Sequence, residues 1–397
     1  MKTSDKNARL RFTSIAVVIL VIVMLMIPGV DGDGDITDKL VAVAMGIDYD
    51  GGALTVTVNS VLPVNGGESG SVTSVPVSQS GGSVAECLAG IEKKTGRSLE
   101  LGLCGAVVIG DALAKEGVLS VASILLSGAV VSPGVYLIQA DGDSAENVIR
   151  ESSAFAFDSP TALTQLIKNA EKSIGGCPVT LLKFVSDSCG KAKTATVPLL
   201  SVQKAPEPSG GEKEGGSEKY QPQAIRADAV YKGGVMAGTL SAEASRGLSY
   251  YGNADIKGVL ACTDFYIDGI NVGTVSAETA GSDVKVDAFF DGDIPVARLK
   301  ASLTIRSADR ERINAVAAAH NLSEKQIDEA YKQNFGEIVK SDVEKAFSEA
   351  KALQCDVFEI EQKLYRFHTR DYKRFIKEGG SVTDECRVGI SAEIKIA

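Results

Sequence analysis

Near the N-terminus the chain reads Asp31-Gly32-Asp33-Gly34-Asp35, with the alternating carboxylates that open a calcium loop. An EF-hand loop needs Gly at its sixth position and a bidentate Glu at its twelfth. Counted from Asp31, those positions hold Ile36 and Ala42, so the stretch reads as a solvated spacer and not a metal site. The only histidines, His320 and His368, are a meagre supply for transition-metal ligation or base catalysis. His368 lies near Tyr365 and Asp371, but in a run of Lys, Arg and aromatic residues that reads as surface. Seven cysteines (Cys87, Cys104, Cys177, Cys189, Cys262, Cys355 and Cys386) contain no C-x-x-C. Their odd number and long spacings fit neither a disulfide framework nor a zinc cluster. Cys87 and Cys104 sit in apolar settings and read as core. Cys177 and Cys189 could be bridged, though nothing in the sequence requires it. A nucleophilic reading would fall on Cys104 or Cys355. Glu243 and Arg246, three apart on an expected helix, are the candidate interaction pair. Such a pair is either a surface contact of about 0.2–0.5 kcal/mol or a clamp for a ligand.

No G-x-S-x-G, H-E-x-x-H or dinucleotide-binding glycine fingerprint is present, and the Gly-rich stretch after Gln203 lacks P-loop spacing. The expectation is therefore no catalytic, cofactor or metal residue. Composition agrees with a globular chain: 397 residues, 44% hydrophobic and 23% charged, have room for two or three domains with real cores. Formal charge is −10, and residues 1–30 hold four of the basic residues against Asp5, which leaves −13 for the remainder. That balance argues against nucleic acid and against adhesion of the body to an anionic membrane.

Elements must position whatever sites exist. Residues 1–11 are a short positive tail, and Phe12–Val30 carries no charge across nineteen residues. As a helix it would span about 28 Å at ~1.5 Å per residue, close to a hydrocarbon core of ~30 Å. It is a signal segment or a retained anchor, and retention is favoured because no good cleavage site follows. Positive charge on its N-terminal side keeps the tail in the cytoplasm and sends the body outside.

Strands and helices then alternate over 36–201. Two strands flank an Asp50-Gly51-Gly52 turn, with Leu54, Val56 and Val58 on one face. A helix follows with Ser83 and Glu86 as a capping box. "LELGLCGAVVIG" reads as one strand, with Asp111 capping a helix through Leu126, and Ser159-Pro160 opens another helix. Residues 202–222 form a linker: from Gln203 to Pro222 there are four Gly, three Pro, four Glu and three Lys, too polar to order themselves. Over 223–397 the pattern gives a hairpin at Gly233-Gly234, a helix capped by Ser241 and alternating strands. A long helix from Ser323 to about Leu353 follows, then two short helical pieces and a last strand with Val388, Ile390, Ala392, Ile394 and Ile396 on one face. The fold class expected is α+β: an N-terminal membrane anchor, then two mixed sheet-plus-helix domains, the second with a long C-terminal helix and antiparallel strands.

Several segments, in order, resemble the C subunit of bacterial spore germinant receptors, the Ger(x)C lipoprotein family. They are Ile36 with "MGIDYD", "LGLCGAVVIGDALAKEGV", and "PGVYLIQADGDSAENVI". Next come "VMAGTLSAEASRGL", similar to the family's G-x-L-x-x-x-E-x-R-G, and "DVFEIEQKLYRFHTRDYKRF", similar to its D-x-F-x-x-x-x-x-L-Y-R-x-x-x-x-x-W. The resemblance runs from about Gly29 to the end. It departs at the lipobox, where Val30 stands in place of the lipid-bearing Cys and Asp31-Gly32 replaces the family's Trp-Asp. Val offers no thiol for diacylglycerol, so anchoring would pass to the helix. The resemblance implies a non-enzymatic receptor subunit on the outer face of the spore inner membrane. Its partners would be A- and B-type membrane subunits, and a partner would read the small-molecule germinant. The alternative is a free-standing, membrane-tethered, extracytoplasmic solute-binding module.

Overall fold

The computed structural model describes residues 39–63, 72–128, 130–155, 161–171, 173–202, 223–251 and 256–397. The expected tail, anchor, Val30 and acidic spacer lie outside them, as do Ser159-Pro160 and residues 203–222. Among the described residues no helix is long and apolar enough to cross a membrane.

β1 (Lys39–Asp50) and β2 (Ala53–Pro63) pair antiparallel about Gly51 and Gly52, whose φ values of 55° and 97° suit a residue without a side chain. β3 (Val72–Gly81) extends the hairpin and leads into α1 (Val84–Thr95). Ser83 Oγ accepts the Glu86 N–H at 3.2 Å, but the Glu86 carboxylate reaches the N–H of Gly82 instead of Ser83, a capping box displaced by one residue. The expected single strand over 99–110 is two, β4 (Ser98–Glu100) and β5 (Ala106–Ile109), because 101–105 turn between them. The helix after it is also two, α2 (Asp111–Glu116) and α3 (Leu119–Ser127), parted at Gly117 with φ 135°. Asp111 is the first helical residue and not the cap, which is Gly110.

The chain continues through β6 (Tyr136–Ala140), α4 (Ala145–Phe155), α5 (Ala162–Glu171), β7 (Val179–Thr180), α6 (Leu181–Cys189) and β8 (Thr194–Val202). Beyond the linker, β9 (Gln223–Lys232) and β10 (Val235–Thr239) are hydrogen-bonded into this same sheet, β9 antiparallel to β8. Strand order is β10-β9-β8-β6-β5-β1-β2-β3, with β4 beside β1 and β7 beside β6. The middle four, β1, β5, β6 and β8, run parallel. α1, α2, α3 and α6 cover one face and α4 and α5 the other. Strands covered on both faces need apolar residues at every position, which is why Ala106–Ile109 is buried throughout.

α7 (Ala242–Ser249) carries the chain to the second sheet, β11 (Gly258–Ile267), β12 (Ile270–Asp291), β13 (Ile294–Ser307) and β14 (Arg387–Ile396). Between β13 and β14 come α8 (Arg310–Ala319), α9 (Glu324–Ala352), α10 (Ile360–Phe367), α11 (Thr369–Lys377) and α12 (Val382–Glu385). The expectation of antiparallel strands holds for β11–β12 and β12–β13 but not for β14, which pairs parallel with β13 from Val296↔Arg387 to Ile305↔Ile396. The reason is the helical crossover between them, which returns the chain to the end from which β13 set out.

α9, capped by Ser323 and Leu353, crosses one face of this sheet for about 44 Å. Tyr331 and Phe335 stack at 5.7 Å, and both meet Phe265 of β11. Phe335 is fully buried. Phe335→Ala should cost about 3–5 kcal/mol, read as a lowered denaturation midpoint with an unchanged denaturant slope.

Candidate functional site

Sequence reasoning nominated Glu243 and Arg246 on α7, and the structure does not join them. The Arg246 guanidinium instead grips Asp342 of α9, with Nε and the second terminal nitrogen each 2.7 Å from a carboxylate oxygen. Asp342 is 3% exposed and also accepts the Tyr250 hydroxyl at 3.0 Å. The hydrogen bond to Asp342 holds the Arg246 pKa above its ordinary value. Gly247 makes this pair reachable, because a Cβ there would collide with the Asp342 carbonyl and push the helices apart. One turn earlier Ser241 donates its N–H (2.8 Å) and its hydroxyl (2.7 Å) to Glu349, also on α9. α7 is therefore pinned to the long helix at both ends. Glu243 sits outside this grip, with its pKa lowered by its own backbone N–H and by Lys345.

Behind α7 lies the junction of the two sheets. Asp228 of β9 is fully buried: its Oδ1 accepts the Cys177 N–H at 3.0 Å and its own N–H donates to Ser245 Oγ at 2.8 Å. Oδ2 has no hydrogen-bond partner among the described residues. Burial pushes its carboxyl up to about 6, partly offset by Cys177 N–H and the Ser245 hydroxyl. Asp356, just beyond α9, donates its N–H to Thr194 Oγ1 at the start of β8 (3.1 Å) and accepts the Glu361 N–H at 2.7 Å. It too is pushed up to about 6 by burial, against the N–H groups of Glu361, Ile360 and Phe358. These donors open α10, whose N-cap, Glu359, has no side-chain cap of its own, so Asp356 satisfies N–H groups that would otherwise be orphaned.

A cleft of about 370 Å³ is lined by Asp356 together with Cys177, Lys183, Asp187, Thr194 and Glu359, among others. Lys183 Nζ bridges Asp187 at 2.9 Å and Glu359 at 3.5 Å, joining α6 to the start of α10. Burial alone would lower its pKa, but the hydrogen bond to Asp187 and the two negative charges raise it. The cleft thus holds an ammonium already paired with two carboxylates, and burial, with the nearby Asp228 charge, holds the Cys177 thiol well above its ordinary pKa. All seven thiols are free, so Cys177 and Cys189 are not bridged. Burial pushes the Cys104 thiol up to about 12 and raises Cys355, which opposes thiolate chemistry at either candidate. Asp371 pairs with Arg374 at 3.4 Å and Tyr365 packs edge-on against Tyr372, so neither serves His368. No group of metal-ligating side chains occurs among the described residues.

The motif residues turn out to be joinery. In "MGID", a Cβ on Gly46 would crowd Ala145, and Asp48 caps α4 by accepting the Ala145 and Glu146 N–H groups at 2.7 and 2.9 Å. Tyr372, where the family motif has Trp, donates to Glu361 at 2.8 Å. Sequence reasoning missed Asp228, Asp342 and Lys183. No local signal marks them, because their partners lie 51, 96 and up to 176 residues away.

Fold and junction define a tandem α+β protein in which buried polar groups lock two sheet modules together. The chain belongs to the GerAC-like family of spore germination proteins. Residues 33–202 match the model described as spore germination protein N-terminal domain, and residues 228–397 the spore germination B3/GerAC-like C-terminal domain. Among solved structures, the crystal structure of the GerBC protein shares the fold: TM-score 0.53 at 14% identity, covering 89% of this chain and 96% of that one. Comparison with curated proteins gives no match.

Arg246→Ala leaves Asp342 buried without its counter-ion and should cost about 3 kcal/mol or more, with Gly247→Ala destabilising independently through the collision; urea unfolding measures both. Asp228 is pushed to about 6 when folded, against about 3.9 in an unfolded chain. The folded state therefore binds more protons between those values. Its contribution is most favourable below about pH 4 and declines as pH rises through 6. Asp228→Asn removes that dependence, so relative to wild type the variant should gain about 2 kcal/mol between pH 4.5 and 8, read from unfolding curves at the two pH values.

Proposed function

We propose that this protein is a non-enzymatic subunit of a germinant receptor, held at the outer face of the spore inner membrane by its N-terminal segment. Its assembly partners would be A- and B-type membrane subunits, and a partner would bind the small-molecule germinant. The observation that carries the reading is the match of both family domains along the chain, 33–202 and 228–397. The pinned helices and buried junction support it physically. Coupled carboxylate contacts across two modules make one stiff body, suited to holding or relaying the position of a neighbour. Val30 at the lipobox Cys position leaves Phe12–Val30 as the attachment.

The test is co-purification of a C-terminally tagged full chain from crosslinked spore membranes, with peptide mapping of the N-terminus. Recovery of a multi-spanning partner with an intact peptide before Ile15 is the expected result. A released, unpartnered protein beginning near Asp33, or unchanged nutrient germination when the gene is removed, would refute the assignment.

The junction cleft favours one second reading, a tethered solute-binding module, since about 370 Å³ is the size of a small-ligand site. Under it, calorimetry of the full chain in detergent should show saturable binding of a small zwitterion that Lys183→Ala abolishes. Under the receptor-subunit reading no heat is released.

A further inference from the structure

The α10–α11 corner opposes the charge of the rest of the molecule. Between Lys363 and Lys377 six Lys or Arg stand against one Asp, in a chain of net charge −10. On α11, Tyr372 and Phe375 are buried, and Arg370, Lys373 and Lys377 follow at i, i+3 and i+7 on the exposed side. Arg374 is engaged by Asp293 at 2.8 Å and by Asp371. Arg366, Arg370, Lys373 and Lys377 form no ion pair among the described residues. Beside this stripe stand Phe367, 69% exposed, and Ile376.

Sheet topology puts the corner where the N-terminal segment enters. Lys191, just before β8, donates its N–H to Gln362 of α10 (3.4 Å), and its ammonium lies 4.6 Å from the Tyr365 ring centroid. α10 therefore sits at the starting end of β8. β1 is parallel to β8 through β5 and β6, so Lys39 begins at that same edge, three strands or about 14 Å away. The registers agree: Ala44, Ala106 and Tyr136 are level, and Gln139 is level with Leu199, which places Lys39 and Lys191 each about five residues beyond that line. The same edge carries Leu103, 70% exposed in the turn before β5. It also carries exposed Leu182, whose N–H donates to the Pro133 carbonyl near the start of β6. Residues 31–38 span at most about 28 Å when extended.

We propose that this edge, together with the basic face of α11 and Phe367 beside its β8 end, docks on the anionic headgroups of the bilayer. The proposal rests on reading Phe12–Val30 as the tether. A tether keeps the patch at high effective concentration, so a few cations and one aromatic ring are enough to orient the body. Net charge is an average over the surface; the corner that faces the lipid is positive. An acidic protein partner would use the same charges, but it would not explain exposed Leu103 and Leu182 along the edge where the tether enters.

The chain contains no Trp, so Phe367→Trp supplies a single fluorophore and Ala53→Trp, at the opposite end of β1, a control. The full-length variants are reconstituted in vesicles of phosphatidylcholine, alone or with phosphatidylglycerol, carrying brominated acyl chains. In the anionic vesicles position 367 should shift to the blue and be quenched, while position 53 should not. Combining Arg370→Glu, Lys373→Glu and Lys377→Glu, or ~1 M salt with its Debye length of about 3 Å, should remove the effect. A Trp at 367 as water-exposed as the one at 53 overturns the proposal, and so does equal quenching in neutral vesicles or in the triple variant. Shielding only in native spore membranes would assign the face to a protein partner and overturn it likewise. Flotation with neutral vesicles reports the tether separately: if the chain does not float, the tether reading fails, while the comparison of 367 with 53 in anionic vesicles still decides the docking.

Discussion

Asp342 is a carboxylate in the middle of a long helix, almost wholly removed from water, and the second half of the molecule is arranged to keep it company. Removing a charge from water costs several kcal/mol unless a counter-ion and hydrogen bonds replace the lost solvation. Arg246 and Tyr250 supply them, but only if α7 lies against α9 at backbone contact. Gly247 permits that approach. With α7 so placed, the ion pair fixes the helix against α9, alongside the junction contacts made by Ser241, Asp356 and Lys183.

The junction repeats this logic with weaker compensation. Asp228 and Asp356 are buried without a cation at hydrogen-bond distance; their carboxylates accept the N–H groups of Cys177 and Glu361, and their own N–H groups donate to the hydroxyl oxygens of Ser245 and Thr194. Each is pushed up to about 6, so each costs stability at neutral pH. What each supplies is direction: Asp356 fixes the first turn of α10, and Asp228 ties the 177 loop to β9. A stiff two-sheet body follows, with its cleft, its long helix and its basic corner in fixed relation.

The glycines and acids of the motif segments have the same character. Gly46, Asp48, Gly247 and Asp356 act through close approach and helix capping. The family resemblance was therefore legible from residues that build the fold, while Arg370, Lys373 and Phe367, outside that joinery, read as an ordinary solvated run.

Local order was determined by the sequence by itself. The Asp50-Gly51-Gly52 and Gly233-Gly234 turns, the Ser83, Ser241 and Ser323 caps, the long helix to Leu353 and the apolar face of β13 all depend on neighbours within a few residues, where period and cap chemistry decide the geometry. Tertiary structure alone decided that β14 lies parallel to β13, that β9 and β10 extend the first sheet across the linker, and that Arg246 answers to Asp342 and not to Glu243. It also decided that a basic corner and the chain's entry share one edge. Each of these joins residues far apart along the chain, and such choices are set by which buried surfaces and charges can be satisfied together, a condition that no local pattern encodes.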